Sequence, residues 1–92
     1  MKFEYDPNKS TTNMEKHGID FEEAQSLWKD SELVEIPAEA EDEQRFLSIG
    51  MIEDIFWTAV TTIRNGNIRI ISVRRSRKNE ERLYEKNIGR RV

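Results

Sequence analysis

Ile55-Phe56-Trp57-Thr58-Ala59-Val60-Thr61-Thr62-Ile63-Arg64, Asn65-Gly66 and Asn67-Ile68-Arg69-Ile70-Ile71-Ser72-Val73-Arg74 form the stretch on which the fold turns. Two β-rich runs, Ile55 to Arg64 and Ile68 to Arg74, flank Asn-Gly, the strongest short hairpin signal, because a type I′ turn needs positive φ at both central residues. The two-residue loop predicts that Arg64 faces Asn67, Thr62 faces Arg69 and Val60 faces Ile71. Alternation sets Ile55, Trp57, Ala59, Thr61 and Ile63 on one side of the first strand. On the second, Ile70, Ser72 and Arg74 share a face, and Arg69, Ile71, Val73 and Arg75 share the other.

Working backwards, Arg45 to Met51 alternates Leu47, Ile49 and Met51, and Glu53-Asp54 links it to the hairpin as a second tight turn. Leu33 to Ile36 is a further strand ending at Pro37, and residues 38–44 are an exposed acidic loop. Asp20-Phe21-Glu22-Glu23 has the form of a capping box and starts an amphipathic helix over 21–29, with Phe21, Ala24, Leu27 and Trp28 on one face. Asp6 caps a polar helix that starts with Pro7 and stops at Gly18. Lys2 to Tyr5 alternates as a short strand. Downstream, Ser76 caps a helix over 77–87 on which Glu80, Leu83, Tyr84, Asn87 and Ile88 share a face, and the tail 89–92 is expected to fray. The order β-α-α-β-β-β-β-α predicts an α+β domain, with helices packed on one face of a mostly antiparallel sheet.

The whole chain, 92 residues, is read as a single domain, 1–92. Leu, Ile, Val and Phe make up about 24% of it, above the roughly 20% of disordered chains, so a small core sits inside a charged shell. There is no cysteine, which excludes disulfides, thiol nucleophiles and thiolate zinc sites. No segment is long and apolar enough for a transmembrane helix, and no apolar stretch of a signal peptide follows Met1 to Pro7. The expectation is a cytoplasmic protein with no membrane role. The net charge of −3 conceals two opposite blocks. Residues 1–63 carry five basic and fifteen acidic side chains, and residues 64–92 carry ten basic and three acidic. Such a basic block binds phosphate backbones when it forms one face, unless it is spent neutralising the acidic block.

Arg69 to Lys78 concentrates the chemistry. Arg74 and Arg75, held on a strand, offer planar guanidinium forks to phosphate oxygens, and Arg77 and Lys78 extend the cationic surface to a helix start. The alternative is that Arg74 and Arg75 pair with the acidic N-terminal block. His17, the one histidine, can transfer a proton near neutral pH, or simply favour a helix C-terminus as a cation. Tyr84 lies on the inward face of the last helix, as core or as a group touching base or phosphate. The acidic run 39–43 lacks the spacing of a calcium loop, no phosphate loop or metalloprotease motif is present, and neither metal nor cofactor is assigned.

Phe3-Glu4-Tyr5-Asp6-Pro7-x-Lys9, Lys16-His17-Gly18-Ile19-x-Phe21-x-x-Ala24, Ile68-Arg69-Ile70-Ile71-Ser72-x-Arg74-Arg75 and Glu80 through Tyr84-Glu85 together resemble the BrnT family, ribonuclease toxins of bacterial BrnT/BrnA type II toxin–antitoxin systems. Tyr5 stands where a Trp is expected, Val73 where a small residue is usual, and Arg77 where Thr often caps the last helix. The resemblance implies a RelE-like fold, metal-independent RNA cleavage that blocks translation, and neutralisation by a BrnA-like antitoxin. It also implies a two-plus-two complex that reaches operator DNA only through the antitoxin. RNA is cut when its own 2′-OH attacks the adjacent phosphorus in line, which requires alignment, charge stabilisation and proton transfer. The candidate catalytic residues are His17 for proton transfer, aided by Lys16, Arg74 and Arg75 for phosphate charge, and Tyr84 for orientation. Lys16, Arg69, Arg77 and Lys78 are candidates to hold the RNA backbone. A non-catalytic nucleic-acid-binding or regulatory module would use the same basic strand without His17.

Overall fold

The computed structural model describes residues 2–89. The elements are β1 (Phe3–Glu4), α1 (Pro7–His17), α2 (Phe21–Ala24) continued by a 3-10 segment (Gln25–Lys29), β2 (Val34–Ala38), β3 (Arg45–Ile52), β4 (Ile55–Arg64), β5 (Asn67–Arg75) and α3 (Lys78–Gly89). The expected fraying of residues 90–92 lies outside the described residues. The five strands form one sheet in the order β1-β5-β4-β3-β2. Strands β2 to β5 form an antiparallel meander, and β1 returns beside β5 as its parallel neighbour, with Phe3 opposite Ile68 and Glu4 opposite Arg69. The result is an α+β fold with a mixed sheet.

Both tight hairpins form as the turn chemistry predicts. Asn65 and Gly66 have φ of 52° and 78°, and Glu53 and Asp54 have 49° and 65°. Those values give each turn the left-handed pair of a type I′ loop. The acidic segment 38–44 begins inside a strand rather than after one, since β2 runs through Pro37 to Ala38. An edge strand tolerates this proline because its missing N–H costs no ladder bond on the free side.

The register of β5 departs from the expectation. Thr62 faces Arg69 as predicted, but Val60 faces Ser72, not Ile71, and Thr61 faces Ile70. Ile71 is the extra residue of a β-bulge, which reverses the alternation beyond it. Ile68, Ile70 and Val73 are therefore the buried positions of the strand, and Ser72 and Arg74 fall on the opposite face.

The core lies where Ile19, Phe21, Ala24 and Leu27 meet Trp57, Ala59, Ile70 and Val73. Phe21, Ala24 and Leu27 recur every third residue, which a 3-10 turn eclipses onto one line, so the predicted single helix over 21–29 tightens after its first turn. The segment also packs unusually close to the sheet. A Cβ on Gly50 would sit 2.9 Å from Leu33 Cδ1 and 3.1 Å from Leu27 Cδ2. Tyr5 packs edge-on to Phe21 at 5.6 Å, and Phe3 to Trp28 at 5.0 Å.

Helix α3 is on the other face. Glu80 bonds Thr58 and Arg74, which pair across β4 and β5 and point away from the Trp57–Ala59–Val73 core. Tyr84 stacks edge-on to Phe56. The sheet is thus covered on both faces, not one. Leu83 and Ile88, expected to share the buried stripe of α3, are 40% and 38% exposed.

Helix α1 has no large apolar anchor, and polar groups hold it. Asp6 accepts from Asn8 N–H at the N-cap, and Ser10 Oγ accepts from Phe21 N–H. Asn13, 6% exposed, donates from Nδ2 to the carbonyls of Ile19 (2.8 Å) and Val73 (2.9 Å), and its Oδ1 accepts from Val73 N–H at 3.1 Å. Its amide thereby completes the edge of β5 as a strand would. Asn13→Ala removes three hydrogen bonds from buried backbone groups and is expected to lower the stability measured by urea denaturation by about 2–4 kcal/mol. Asn13→Asp, which faces two carbonyls with a charge, is expected to be no better; either variant at wild-type stability contradicts this account.

Candidate functional site

Arg74 leaves the end of β5 and meets Glu80, two residues into α3. Nη1 donates to Oε1 and Nη2 to Oε2, both at 2.8 Å. This is the bidentate fork that suits guanidinium and carboxylate. Glu80 Oε1 also accepts from Arg77 N–H at 2.8 Å and from Thr58 Oγ1 at 3.0 Å, and Ser76 Oγ lies 2.7 Å from Thr58 Oγ1. The acceptance from Arg77 N–H is one half of a capping box, in which a residue at the third helical position reaches back to the cap. Arg77, not Ser76, therefore opens the helix. Glu80 is 3% exposed, and the Arg74 guanidinium holds its carboxyl down, against the opposing pull of burial, at about 2. The same bonds raise the Arg74 pKa. Arg74 thus pairs with a carboxylate of its own basic block, not with the acidic N-terminal block.

Tyr84 is also committed. Its hydroxyl donates to Asp30 Oδ2 at 2.7 Å, where Met51 N–H donates as well at 2.9 Å. Burial, then the Asp30 carboxylate, pushes the Tyr84 phenol up to about 12. Burial pulls Asp30 upward, but the hydrogen bonds from Glu32 N–H, Tyr84 and Met51 N–H outweigh it and leave its pKa lowered. Ser26, Lys29, Asp30, Met51, Ile52, Glu53, Asp54 and Tyr84 line a cleft of 520 Å³ here.

His17 and Lys16 lie elsewhere, in a cleft of 230 Å³ between α1 and the bulged part of β5, lined also by Lys9, Thr12, Asn13, Ile71 and Ser72. No carboxylate lines it. Among the described residues, no ion pair engages Lys9, Lys16 or His17, whereas Arg69 sits 3.8 Å from Glu4 and Arg45 and Arg64 flank Glu43 at 3.8 and 3.5 Å.

Arg75 is exposed, with its guanidinium 5.6 Å from the centre of the Trp57 ring, and Arg77 and Lys78 are exposed beside it. The predicted residues therefore fall into separate groups. Lys16 and His17 share one cleft; Arg74, Arg75, Arg77 and Lys78 gather where β5 meets α3; Tyr84 lines a different cleft; Arg69 lies toward the other end of β5. The acidic loop lines a separate groove of 860 Å³, formed by Pro37, Ala38, Glu39, Ala40, Glu41, Glu43 and Gln44. Among the described residues there is no group of three or more His, Cys, Asp or Glu poised to hold a metal, and no helix is long and apolar enough to cross a membrane.

Sequence reasoning missed Asn13, Asp30 and the role of Glu80. The signal for Glu80 was present, as an acid three residues after a helix start. Asp30 and Asn13 act across 54 and 60 residues of chain and had no local signature.

These features describe a small α+β protein with a cationic strand end and a cleft lined by Lys9, Lys16 and His17. A family model described as the ribonuclease toxin BrnT of type II toxin–antitoxin systems matches residues 5–80. The chain belongs to that family, and membership brings an RNA target and a protein antitoxin as partner. A comparison with curated proteins finds no match.

Arg74→Ala leaves a buried carboxylate short of its main partner and is expected to lower stability by about 2–4 kcal/mol in urea denaturation. The pH dependence has a definite sign. Because Glu80 is depressed from 4.5 to about 2, its contribution is complete above pH 4.5 and is lost as pH falls toward 2. That loss is on the order of 3 kcal/mol. Tyr84 is raised from 10.0 to about 12, so its contribution is complete below pH 10 and is lost between pH 10 and 12. Glu80→Gln should lack the acid step and Tyr84→Phe the alkaline one in stability measured across pH; an unchanged acid step in Glu80→Gln refutes the assignment.

Proposed function

We propose that the chain is a metal-independent endoribonuclease, a single RelE-like toxin domain over 1–92 that cuts cytoplasmic RNA and so blocks translation. A BrnA-like antitoxin holds it inactive in a two-plus-two complex and supplies the contact with operator DNA. The observation that carries this reading, beside the family, is the cleft where His17 and Lys16 face β5 with no carboxylate to neutralise them.

The chemistry balances with the RNA's own atoms. His17 accepts the 2′-OH proton as the 2′ oxygen bonds to phosphorus. The bond from phosphorus to the 5′ oxygen breaks, and that oxygen takes up a proton. The products are a 2′,3′-cyclic phosphate and a 5′-OH end. Arg75, in its separate group where β5 meets α3, binds phosphate charge of the RNA, and Arg69, Lys16, Arg77 and Lys78 track the backbone. Arg74 serves through Glu80, which accepts from Arg77 N–H, and its guanidinium, spent on Glu80 and the Arg75 carbonyl, keeps little freedom for substrate. Tyr84, protonated to about pH 12, does not act as a base at neutral pH and serves by orientation.

A second reading has one specific observation in its favour. Arg74 and Tyr84, two of the four catalytic candidates, are bonded to carboxylates. A nucleic-acid-binding or regulatory module would need neither for chemistry.

Purified protein incubated with ribosome-free RNA in EDTA decides between them. Cleavage to cyclic phosphate ends is expected. His17→Ala should slow it about a hundredfold or more, and Arg75→Ala about tenfold or more, both with unchanged melting. RNA bound but intact supports the module; full activity in His17→Ala removes that residue from the chemistry.

A further inference from the structure

We propose that Lys9, Lys16 and Ser72 form a subsite for a backbone phosphodiester of single-stranded RNA, beside His17; the inference rests on the ribonuclease reading above and extends it. Lys9 and Lys16 are seven residues apart, two turns of α1, so both ammonium groups project from one stripe of the helix. The stripe faces the cleft of 230 Å³, whose opposite wall is Ile71 and Ser72.

The bulge gives the cleft its second wall. Had β5 alternated without interruption, Ser72 would share the core-facing side with Ile68 and Ile70. The extra residue turns it out instead, and its hydroxyl makes no hydrogen bond among the described residues. Bulges commonly re-aim a side chain in this way. Thr12, by contrast, spends its proton on the Asn8 carbonyl at 3.0 Å.

The charge balance indicates the ligand. Three of the β-strand arginines away from the end of β5, Arg45, Arg64 and Arg69, have carboxylates within 4.0 Å. The two lysines of the cleft have none among the described residues, and they converge with a free hydroxyl donor in a concavity. Two ammonium groups and a hydroxyl, with no acid, match one phosphodiester and disfavour a cationic or neutral ligand. Asn13 sits at the floor with both ends of its amide bonded to backbone, so the walls are held in place before any ligand arrives.

The test is fluorescence anisotropy of the intact protein with a short single-stranded 2′-O-methyl RNA, which lacks the nucleophile and is not cut, across a salt series. Lys9→Gln should weaken binding about five- to tenfold and reduce the salt slope by about 0.7, one contact's worth for a single strand. Ser72→Asp, which puts a carboxylate in the cleft wall, should weaken it further. Lys86→Gln, on exposed α3, should bind as wild type does. Wild-type affinity and slope in Lys9→Gln overturn the subsite, as does failure of the wild-type protein to bind the oligonucleotide. Cleavage of unmodified RNA, run alongside, separates the two readings. Cleavage with an unaffected Lys9→Gln removes the subsite and keeps the ribonuclease. Loss of binding in Lys9→Gln without wild-type cleavage keeps the subsite and removes the ribonuclease.

Discussion

The side-chain amide of Asn13 takes the place of a neighbouring strand along the upper part of β5. β1 covers that edge at Ile68 and Arg69 only, so the backbone groups of Val73 would otherwise face the helix side unpaired. An unpaired buried amide or carbonyl costs about 1–3 kcal/mol, and one asparagine satisfies both while also binding the Ile19 carbonyl. Through this contact a helix with almost no apolar surface is docked on the sheet. The entry into α2 is positioned at Ile19, and Lys9, Lys16 and His17 are held against the bulge.

The opposite face works by a different balance. There α3 is held by a carboxylate that collects four donors and a phenol that meets an aspartate, with a single aromatic contact between Phe56 and Tyr84. Buried ion pairs of this kind add little net stability but are costly to break, because the surviving charge is left without solvent. They define one position for the helix start rather than a merely sticky one. The division of charge along the chain survives folding only in part, since Arg64 and Arg69 of the basic block meet Glu43 and Glu4 of the acidic one. Arg74 is neutralised from within the basic block, and the acidic loop over residues 39–43 keeps its own groove.

Much of the fold was legible. Asn65-Gly66 set the central hairpin, Asp6-Pro7 and Gly18 bounded α1, and the three-residue spacing of Phe21, Ala24 and Leu27 marked the core-facing turn. The bulge was not legible, because Ile70 and Ile71 suit either face and only packing against the helices decides between them. The same slip put Ser72 and Arg74 on one face with Ile70, from which the bulge separates them. The placement of α3 on the far face was hidden for a related reason. Its buried stripe is anchored by Glu80 and Tyr84, and hydrophobic periodicity gives a carboxylate no weight. Of the candidate site, His17, Lys16, Arg75, Arg77 and Lys78 were identifiable as exposed cations or a lone titratable ring. That Arg74 and Tyr84 would meet Glu80 and Asp30 depended on pairings no local pattern contains.

The parallel pairing of β1 with β5 has a bearing on how the molecule is made. A chain emerges from synthesis N-terminus first, yet Phe3 waits for Ile68 and Asn13 for Val73. Nearly four-fifths of the sequence must be outside before α1 can dock on β5. The meander from β2 to β5 can zip locally while the first thirty residues remain unplaced, and the long loop closes last. The cleft between α1 and β5 therefore comes into being at the final stage of folding. A half-made chain carries the histidine and the lysines but no wall to set them against.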